Sequence, residues 1–274
     1  MNAIIRETEG CGAEVSNVAL PKATEAEIDL IRETVYRRGV AFLHDQHLSP
    51  EEHIAFAERI GPIVVNRYFP PSERYPQIAR VEKTETQTTN IGGGWHTDHS
   101  YDEAPAMGSV LLAIETPPSG GDTLFADMYA AYEALSDGLK ATLAGLRAVH
   151  ASEHIYGVEG VYGRTDQAHL AGHADNPSAV HPVVITHPGS GRKALYVNPA
   201  FTIGFEGWRR EESMALLAYL YQHAVKPQFV HRFQWRPGSM AIWDNRATWH
   251  QALNDYQGRR RLMHRITIAG GPLH

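Results

Sequence analysis

Three residues of metal-binding type stand out in this sequence: His96 and Asp98, two positions apart, and His250 far downstream. His96 follows three glycines at 92–94, which favour a turn, and leads towards a strand-like segment. In extended backbone, residues two apart project to the same side, so His96 and Asp98 can converge on one ion. Two histidines and one carboxylate leave three positions of an octahedron open, an arrangement that suits a non-haem Fe(II) oxygenase. We therefore predict a metal site at these three residues.

A second His-x-Asp triplet, His173-Ala174-Asp175, competes with this assignment. With 16 histidines and 31 acidic residues in the chain, roughly two such triplets are expected by chance. This one runs directly into Asn176-Pro177, which is typical of a turn, so we predict a loop without a metal there. For His250, spacing alone leaves open a histidine packed in the core beside an aromatic pair.

Two arginines near the C-terminal end could bind anions. If the stretch 259–268 is read as a strand, Arg261 and Arg265 share one face of it, roughly 13 Å apart at about 3.3 Å per residue. A guanidinium binds a carboxylate through two parallel hydrogen bonds and keeps its charge at working pH. The alternatives are a solvated basic edge, or an Arg265 that pairs with an acidic side chain such as Asp244 or Asp102.

Composition limits the partners and the compartment. The chain has 274 residues and a formal net charge of −6, which gives no reason to expect nucleic acid or an anionic membrane as a partner. Cys11 is the single cysteine, so neither an intrachain disulfide nor a thiolate metal cluster is expected. The N-terminal residues lack the features of a signal peptide, and we expect a cytoplasmic protein.

Capping and periodicity predict the elements that position these residues. A helix is expected at 23–38, ended by Gly39, and another with Ser49 as N-cap, Pro50 at its first position and a capping box completed by Glu52. Two more helices are expected around 128–145 and 209–224. The predicted strands are 40–43, 109–115, 183–187, 194–197, 240–243 and 262–269.

These elements favour a mainly β fold with flanking helices and a jelly-roll core. No series of strand, helix and strand of regular length is present, so a doubly wound parallel sheet is not expected. Residues 151–181 are rich in glycine and histidine and show weak periodicity. A long segment of this kind is usually either a functional lid or disordered. We therefore expect one domain, 1–274, with a lid at 151–181.

Four motifs resemble those of the taurine dioxygenase family of Fe(II)/2-oxoglutarate enzymes, which also includes degraders of phenoxyalkanoate herbicides and alkyl sulfates. The resemblance runs from about residue 15 to residue 270, and the motifs keep the family's order and approximate spacing. They are Trp95-His96-Thr97-Asp98, Gly120-Gly121-Asp122-Thr123-Leu124, Trp243-Asp244-Asn245-Arg246 and Arg261-Leu262-Met263-His264-Arg265.

The resemblance implies a double-stranded β-helix core in which His96, Asp98 and His250 hold Fe(II). It implies that Arg261, helped by the Thr123 hydroxyl, binds the distal carboxylate of the co-substrate 2-oxoglutarate. Arg265 matches the arginine that binds the substrate's anionic group in taurine-type members. The implied reaction consumes O₂ and 2-oxoglutarate, releases succinate and CO₂, and hydroxylates the substrate.

The sequence departs from the taurine-specific pattern in the segment 63–69. Asn66 aligns where those members carry a substrate-binding histidine, and Phe69 aligns where they carry a tyrosine. These replacements argue against taurine as the substrate but leave the iron chemistry unaffected. We expect pocket residues from 63–69, from 151–181 and from around Phe201.

The prediction is therefore a dioxygenase that hydroxylates a small anionic molecule, such as a sulfonate, a sulfate ester or an aryloxyalkanoate. Two other readings compete with it: a zinc hydrolase built on the same three ligands, and a non-catalytic jelly-roll protein that binds an anion. We expect a small-molecule substrate, no nucleic acid or membrane partner, and a homo-oligomer.

Overall fold

Antiparallel strands carry most of the regular structure in the computed structural model, which describes residues 3–69, 71–72, 74–172 and 175–274. The strands are β1 (Ile4–Glu7), β2 (Ala13–Ser16), β3 (Val40–Leu43), β4 (Ile63–Val64), β5 (Pro71–Ser72), β6 (Tyr75–Lys83), β7 (Gly108–Glu115), β8 (Thr123–Asp127), β9 (Arg147–Ala151), β10 (Ser178–Pro182), β11 (Val184–Thr186), β12 (Lys193–Leu195), β13 (Thr202–Phe205), β14 (Val230–Phe233), β15 (Met240–Asp244), β16 (Thr248–Ala252) and β17 (Arg261–Ile268). The α-helices are α1 (Glu25–Arg38), α2 (Pro50–Ile60), α3 (Met128–Glu133), α4 (Asp137–Leu143), α5 (Glu153–Tyr156) and α6 (Arg210–Ala224).

A nine-stranded sheet runs in the order β1-β2-β3-β15-β7-β17-β6-β5, with β4 also paired to β17. A three-stranded sheet, β14-β8-β16, faces its centre. Between the two lies an apolar cluster to which the large sheet contributes Phe42, Trp243 and Met263, and the small sheet Phe125 and Phe233. Two smaller sheets, β10-β9-β13 and β11-β12, complete the β structure of the described residues.

Helix α2 begins where its capping residues predict, whereas α1 begins at Glu25, two residues after the predicted start at 23. Thr24 and Ser49 each accept a hydrogen bond from the backbone three residues on, and each forms a capping box. Helix α1 ends at Gly39, whose φ of 77° lies in the left-handed region that favours glycine. Both helices bury one face in the apolar cluster that covers the outer side of the large sheet.

The predicted helix around 128–145 is two short helices. Ser136 interrupts it, because its hydroxyl accepts the backbone N–H of Leu139 and starts α4 as an N-cap. The preceding helix α3 is started by Asp127, whose carboxylate accepts the N–H groups of Tyr129 and Ala130. The single long helix predicted here is therefore wrong.

The prediction of a mainly β protein with flanking helices is confirmed, and among the described strands only β2 and β3 pair in parallel. The segment 151–181 has more regular structure than predicted. It contains α5, two short 3₁₀ helices (Tyr162–Arg164 and Ala168–Leu170) and strand β10. Within the described residues, no helix is both long enough and apolar enough to span a membrane.

Candidate active site

His96 and His250 face each other across a β-bridge. The backbone N–H of each donates to the carbonyl of the other, at 3.1 and 2.8 Å, and the ring centroids are 4.0 Å apart. His250 lies in the middle of β16, so the small sheet fixes its position. The Nδ1 of His96 lies 2.8 Å from the Gly94 carbonyl. A proton on that nitrogen leaves Nε2 with a free lone pair.

Asp98 completes a group of three possible metal ligands. One ligand atom from each of His96, Asp98 and His250 lies within 4.8 Å of the other two. The Nε2 atoms of His96 and His250 are 3.6 and 3.8 Å from the nearer Asp98 oxygens. Asp98 Oδ2 is buried and has Arg265 Nη2 as an ion-pair partner at 2.8 Å, without the geometry of a hydrogen bond. Two imidazole nitrogens and a carboxylate oxygen that converge in this way suit Fe(II), so the residues fit the predicted metal.

The charges at this site favour metal binding. Burial lowers the pKa of His96 and lowers that of His250 well below its ordinary value, which keeps both rings neutral. Burial by itself would raise the pKa of Asp98, but the Arg265 guanidinium beside it holds that pKa well below its usual range. Neutral imidazoles and an ionised carboxylate are the protonation states that bind a metal ion.

Arg265 lies on the same face of β17 as Arg261, and both side chains are buried. The Nη2 of Arg265 lies 2.8 Å from Asp98 Oδ2, and its Nε donates to Ser109 Oγ at 3.0 Å. Its acidic partner is therefore Asp98, neither Asp244 nor Asp102. Those two are engaged elsewhere, Asp244 by Arg246 and Asp102 by Arg67.

Arg261 and Thr123 lie together at the other end of the site. The Arg261 Nε donates to the Gly121 carbonyl at 3.1 Å, and its guanidinium carbon is 5.7 Å from the Trp235 ring. The Trp235 indole N–H donates to Thr123 Oγ1 at 2.9 Å, so the hydroxyl proton stays free to donate to a ligand. A buried guanidinium beside a hydroxyl can bind a carboxylate.

A cavity of about 390 Å³ joins these groups. The three candidate ligands, Arg261, Thr123 and Arg265 line its polar part. Much of the remaining wall is apolar or aromatic, and it includes the predicted residues Phe69 and Phe201. Asp98 is the single carboxylate among the described residues that line it.

Asn66 does not line this cavity. Its amide nitrogen lies 3.3 Å from His99 Nε2, and its amide oxygen accepts the backbone N–H of Tyr68 at 2.9 Å. The other nitrogen of His99 lies 3.0 Å from Asp102 Oδ2. Asn66 thus supports the loop behind the cavity wall, and its contact with substrate stays a prediction.

Sequence reasoning missed the aromatic side chains of 151–181. Tyr156 and Tyr162 line the cavity with Ile155 and Val161, and the Tyr162 hydroxyl accepts the backbone N–H of Gly92 at 2.9 Å. Their spacing in a glycine-rich segment gave no periodic signal. Two tyrosines in a predicted lid are nevertheless a clue, because tyrosine combines an apolar ring with a polar tip.

Gly92, the first of the three glycines before His96, is needed for a steric reason. Gly92 has a φ of 76°, and a Cβ there would lie 3.1 Å from the His96 ring. A side chain would therefore be strained and would press on the imidazole. In the competing triplet, His173 and Ala174 lie outside the described residues.

Comparison with known proteins finds similarity along nearly the whole chain. Residues 5–267 match the model of the family described as "Taurine catabolism dioxygenase TauD, TfdA family". The chain is 33% identical to an alpha-ketoglutarate-dependent sulfate ester dioxygenase of Pseudomonas putida, over 94% of this chain and 86% of that protein. It is 34% identical to the alpha-ketoglutarate-dependent 2,4-dichlorophenoxyacetate dioxygenase of a Burkholderia species, over 94% and 91%. A crystal structure of a taurine dioxygenase from Burkholderia xenovorans superposes with a TM-score of 0.84, at 32% identity, over 99% of this chain and 90% of that one.

Proposed function

This chain belongs to the taurine catabolism dioxygenase TauD, TfdA family, and we propose that it hydroxylates a small anionic organic molecule with iron held by His96, Asp98 and His250. It is an alpha-ketoglutarate-dependent non-haem iron dioxygenase, whose cofactors are Fe(II), 2-oxoglutarate and O₂. The observation that carries the proposal is the two imidazoles and one carboxylate on the wall of an otherwise largely apolar cavity.

Bound Fe(II), 2-oxoglutarate and O₂ supply the oxidising power that converts a C–H bond to C–OH, with loss of CO₂ and formation of succinate. The chain's own residues bind and orient. Arg261 and Thr123 hold the distal carboxylate of 2-oxoglutarate, while His96, Asp98 and His250 fix the metal. The apolar walls exclude water, and the binding groups place one substrate C–H bond at the reacting centre.

The cavity also supports a substrate class. Phe69, Phe201, Tyr156 and Tyr162 surround the space that the co-substrate leaves, and Arg265 is the remaining cation on its wall. The sequence relatives act on a sulfate ester and on 2,4-dichlorophenoxyacetate, as their names state. The substrate therefore combines an apolar or aromatic body with one anionic group, as sulfate esters, sulfonates and aryloxyalkanoates do.

The two competing readings fit the residues less well. A zinc hydrolase needs a general base beside the metal-bound water, but Asp98 is the single carboxylate on the described cavity wall and is committed to the metal. A non-catalytic anion-binding protein would have no use for two neutral histidines beside an ionised aspartate.

We also propose that the chain forms one domain with a double-stranded β-helix core, in which β14-β8-β16 faces the centre of the nine-stranded sheet. In this proposal, 151–181 is the lid of the active site. The contacts of Ile155, Tyr156, Val161 and Tyr162 with the cavity support it. We further propose that the protein is cytoplasmic and forms a homo-oligomer. Light scattering of the purified protein tests the oligomeric state.

Succinate formation tests the function directly. With Fe(II), 2-oxoglutarate and O₂ present, a panel of sulfonates, sulfate esters and aryloxyalkanoates should contain members that strongly stimulate succinate production. Replacement of His96, Asp98 or His250 by Ala should abolish that activity and weaken Mn(II) binding, because a site with two ligands holds the ion poorly. His173→Ala, from the competing triplet, is the matched control and should keep both. A His250→Ala protein with normal activity would overturn the metal assignment.

A further inference from the structure

Lys83 is a buried lysine whose amino group lacks a hydrogen-bond partner among the described residues. The side chain is 2% exposed, and its Nζ is buried without a hydrogen bond. Its described contact is with the ring of Tyr256, 4.6 Å from Nζ to the centroid. An ammonium removed from water without an acidic partner is unfavourable, and a tyrosine face compensates for only part of that cost.

The register of the sheet places Lys83 beside Arg261. The two residues are directly opposed on the antiparallel strands β6 and β17, so their side chains project from the same face. Val81, two residues before Lys83, lines the cavity and identifies that face as the one towards the site. Lys83 itself does not line the cavity. It stands behind the wall that Arg261 forms.

Tyr256 packs against the same group of residues. A Cβ on Gly121 would lie 3.2 Å from Arg261 Cδ and 3.3 Å from Tyr256 Cδ1, so both side chains pack around Gly121. The tyrosine that contacts the Lys83 ammonium is therefore also a neighbour of the Arg261 side chain. Two buried cationic side chains therefore neighbour the same tyrosine at this end of the cavity.

The nearby carboxylates are engaged with other arginines. Glu82 and Glu115 pair with Arg260 on the opposite face of the sheet. Asp122 pairs with Arg232 at 2.7 Å. The two buried cations consequently contribute a positive potential at this end of the site, because the nearby carboxylates, Asp255 included, are paired with other arginines.

We propose that Lys83 is a positioning residue that adds a second positive charge behind the binding site for the distal carboxylate of 2-oxoglutarate. The inference rests on the proposed function, which places that carboxylate at Arg261 and Thr123. It goes further in assigning a role to a lysine outside the cavity wall. The charge favours a dicarboxylic 2-oxo acid over a monocarboxylic one.

Binding measurements can separate this role from a merely structural one. The affinities of 2-oxoglutarate and of 2-oxopentanoate, which carries a methyl group in place of the distal carboxylate, are measured by calorimetry with Mn(II). Lys83→Met should raise the Kd of 2-oxoglutarate about tenfold and leave that of 2-oxopentanoate nearly unchanged, since only the former carries the distal charge. Lys83→Arg should recover most of the affinity. Without ligand, Lys83→Met should unfold at the wild-type temperature or above it, because a buried unpaired charge is removed.

Lys140→Met is the matched control. Lys140 also lies over a tyrosine ring, with its Nζ 5.7 Å from the centroid of Tyr132. It differs from Lys83 in being only partly buried and far along the chain from β6. It should bind both acids as the wild type does. An equal rise in the Kd of both acids in Lys83→Met, or an unchanged Kd for 2-oxoglutarate, would overturn the proposal. If Lys83→Met and Lys83→Gln both fail to fold, the lysine is structural and the proposal is also wrong. Wild-type protein that does not bind 2-oxoglutarate with Mn(II) would contradict the proposed function instead.

Discussion

Arg260 and Arg261 are adjacent in the chain but have opposite surroundings. Arg260 is partly exposed and pairs with Glu82 and Glu115. Arg261 is buried, and its described hydrogen bond is to the carbonyl of Gly121. The guanidinium of Arg261 is therefore available to a ligand, whereas that of Arg260 is already neutralised by protein carboxylates.

This contrast gives a prediction with an internal control. Arg261→Ala should raise the KM for 2-oxoglutarate sharply, because a charge-assisted contact of about 1.5–3 kcal/mol is lost. Arg261→Lys should restore only part of the affinity, since an ammonium cannot reproduce two parallel hydrogen bonds. Arg260→Ala should leave the KM nearly unchanged. Steady-state kinetics with varied 2-oxoglutarate measures all three, and equal KM values for the two alanine variants would contradict the assignment.

Arg265 pairs with a candidate metal ligand and also lines the cavity, so its replacement should affect both metal binding and substrate binding. Its ion pair with Asp98 orients a candidate metal ligand, and its guanidinium also lies on the cavity wall. Arg265→Ala should weaken Mn(II) binding, raise the KM of an anionic substrate, and leave 2-oxoglutarate affinity largely intact once metal is saturating. Ser109→Ala removes only the anchor of Nε and should have a smaller effect. Unchanged metal affinity and substrate KM in Arg265→Ala would exclude both roles.

At the scale of residues, the sequence predicts which side chains could bind a metal better than it predicts which side chains pair with each other. His96, Asp98 and His250 are recognisable from residue type and motif, and they do meet. The pairing of Arg265 with Asp98 was not predictable, because it depends on how the loop after His96 crosses the face of β17. Lys83 was missed for a similar reason: its burial follows from the register of β6 on β17, which no local pattern encodes.

At the scale of elements, local signals predicted α1, α2 and α6 and the strands β3, β7, β11, β12, β15 and β17, but not the sheet β14-β8-β16. Thr24, Ser49, Pro50 and Gly39 set the ends of α1 and α2 through backbone chemistry that is independent of the rest of the fold. Strand β6 was missed, because it ends in Arg80-Val81-Glu82-Lys83, a charged run that resembles an exposed segment. Its lysine is buried only because β17 and Tyr256 cover it.

The carboxylate of Asp166 is one of the groups that tie the segment 151–181 to the rest of the molecule. Asp166 accepts hydrogen bonds from the backbone N–H groups of Thr88 and Thr89 and from the Thr88 hydroxyl. The neighbouring Gln167 donates to the carbonyls of Glu82 and Thr89. These contacts hold the segment against the loop that precedes His96.

Asp166→Ala should therefore loosen the proposed lid, 151–181, without harming the metal site. We expect faster hydrogen exchange in 153–172 and a KM for the substrate that is raised several-fold, with Mn(II) affinity unchanged. Glu159→Ala is the matched control, since Glu159 is an exposed lid residue whose described ion pair is with the exposed Arg164. Equal exchange rates in the wild type and the Asp166 variant would show that the contact does not restrain the lid.

At the scale of the whole molecule, Asp244 connects several layers. It ends β15 in the large sheet, and its backbone N–H donates to the carbonyl of Gly39 after α1. Its carboxylate accepts hydrogen bonds from Arg246 and lies 2.9 Å from His187 Nε2, next to the two-stranded sheet β11-β12. Its carbonyl accepts the hydroxyl of Thr248, the first residue of the strand that carries His250. The metal site thus depends on a buried ion pair outside it.

This connection predicts how stability depends on pH. Burial alone would raise the pKa of Asp244, but Arg246 and His187 lower it to about 2, against about 3.9 in an unfolded chain. A lowered pKa stabilises the fold above the unfolded value, and the stabilisation is lost as the pH falls from about 4 to about 2. The difference corresponds to about 2–3 kcal/mol. Denaturant unfolding at a series of pH values should show this loss in the wild type.

Asp244→Asn should be less stable near neutral pH, because Arg246 loses its counter-charge. Its free energy of unfolding should also depend less on pH below about pH 4. The exposed Asp137→Asn control should keep the wild-type dependence, and an unaltered dependence in Asp244→Asn would contradict the role of this ion pair.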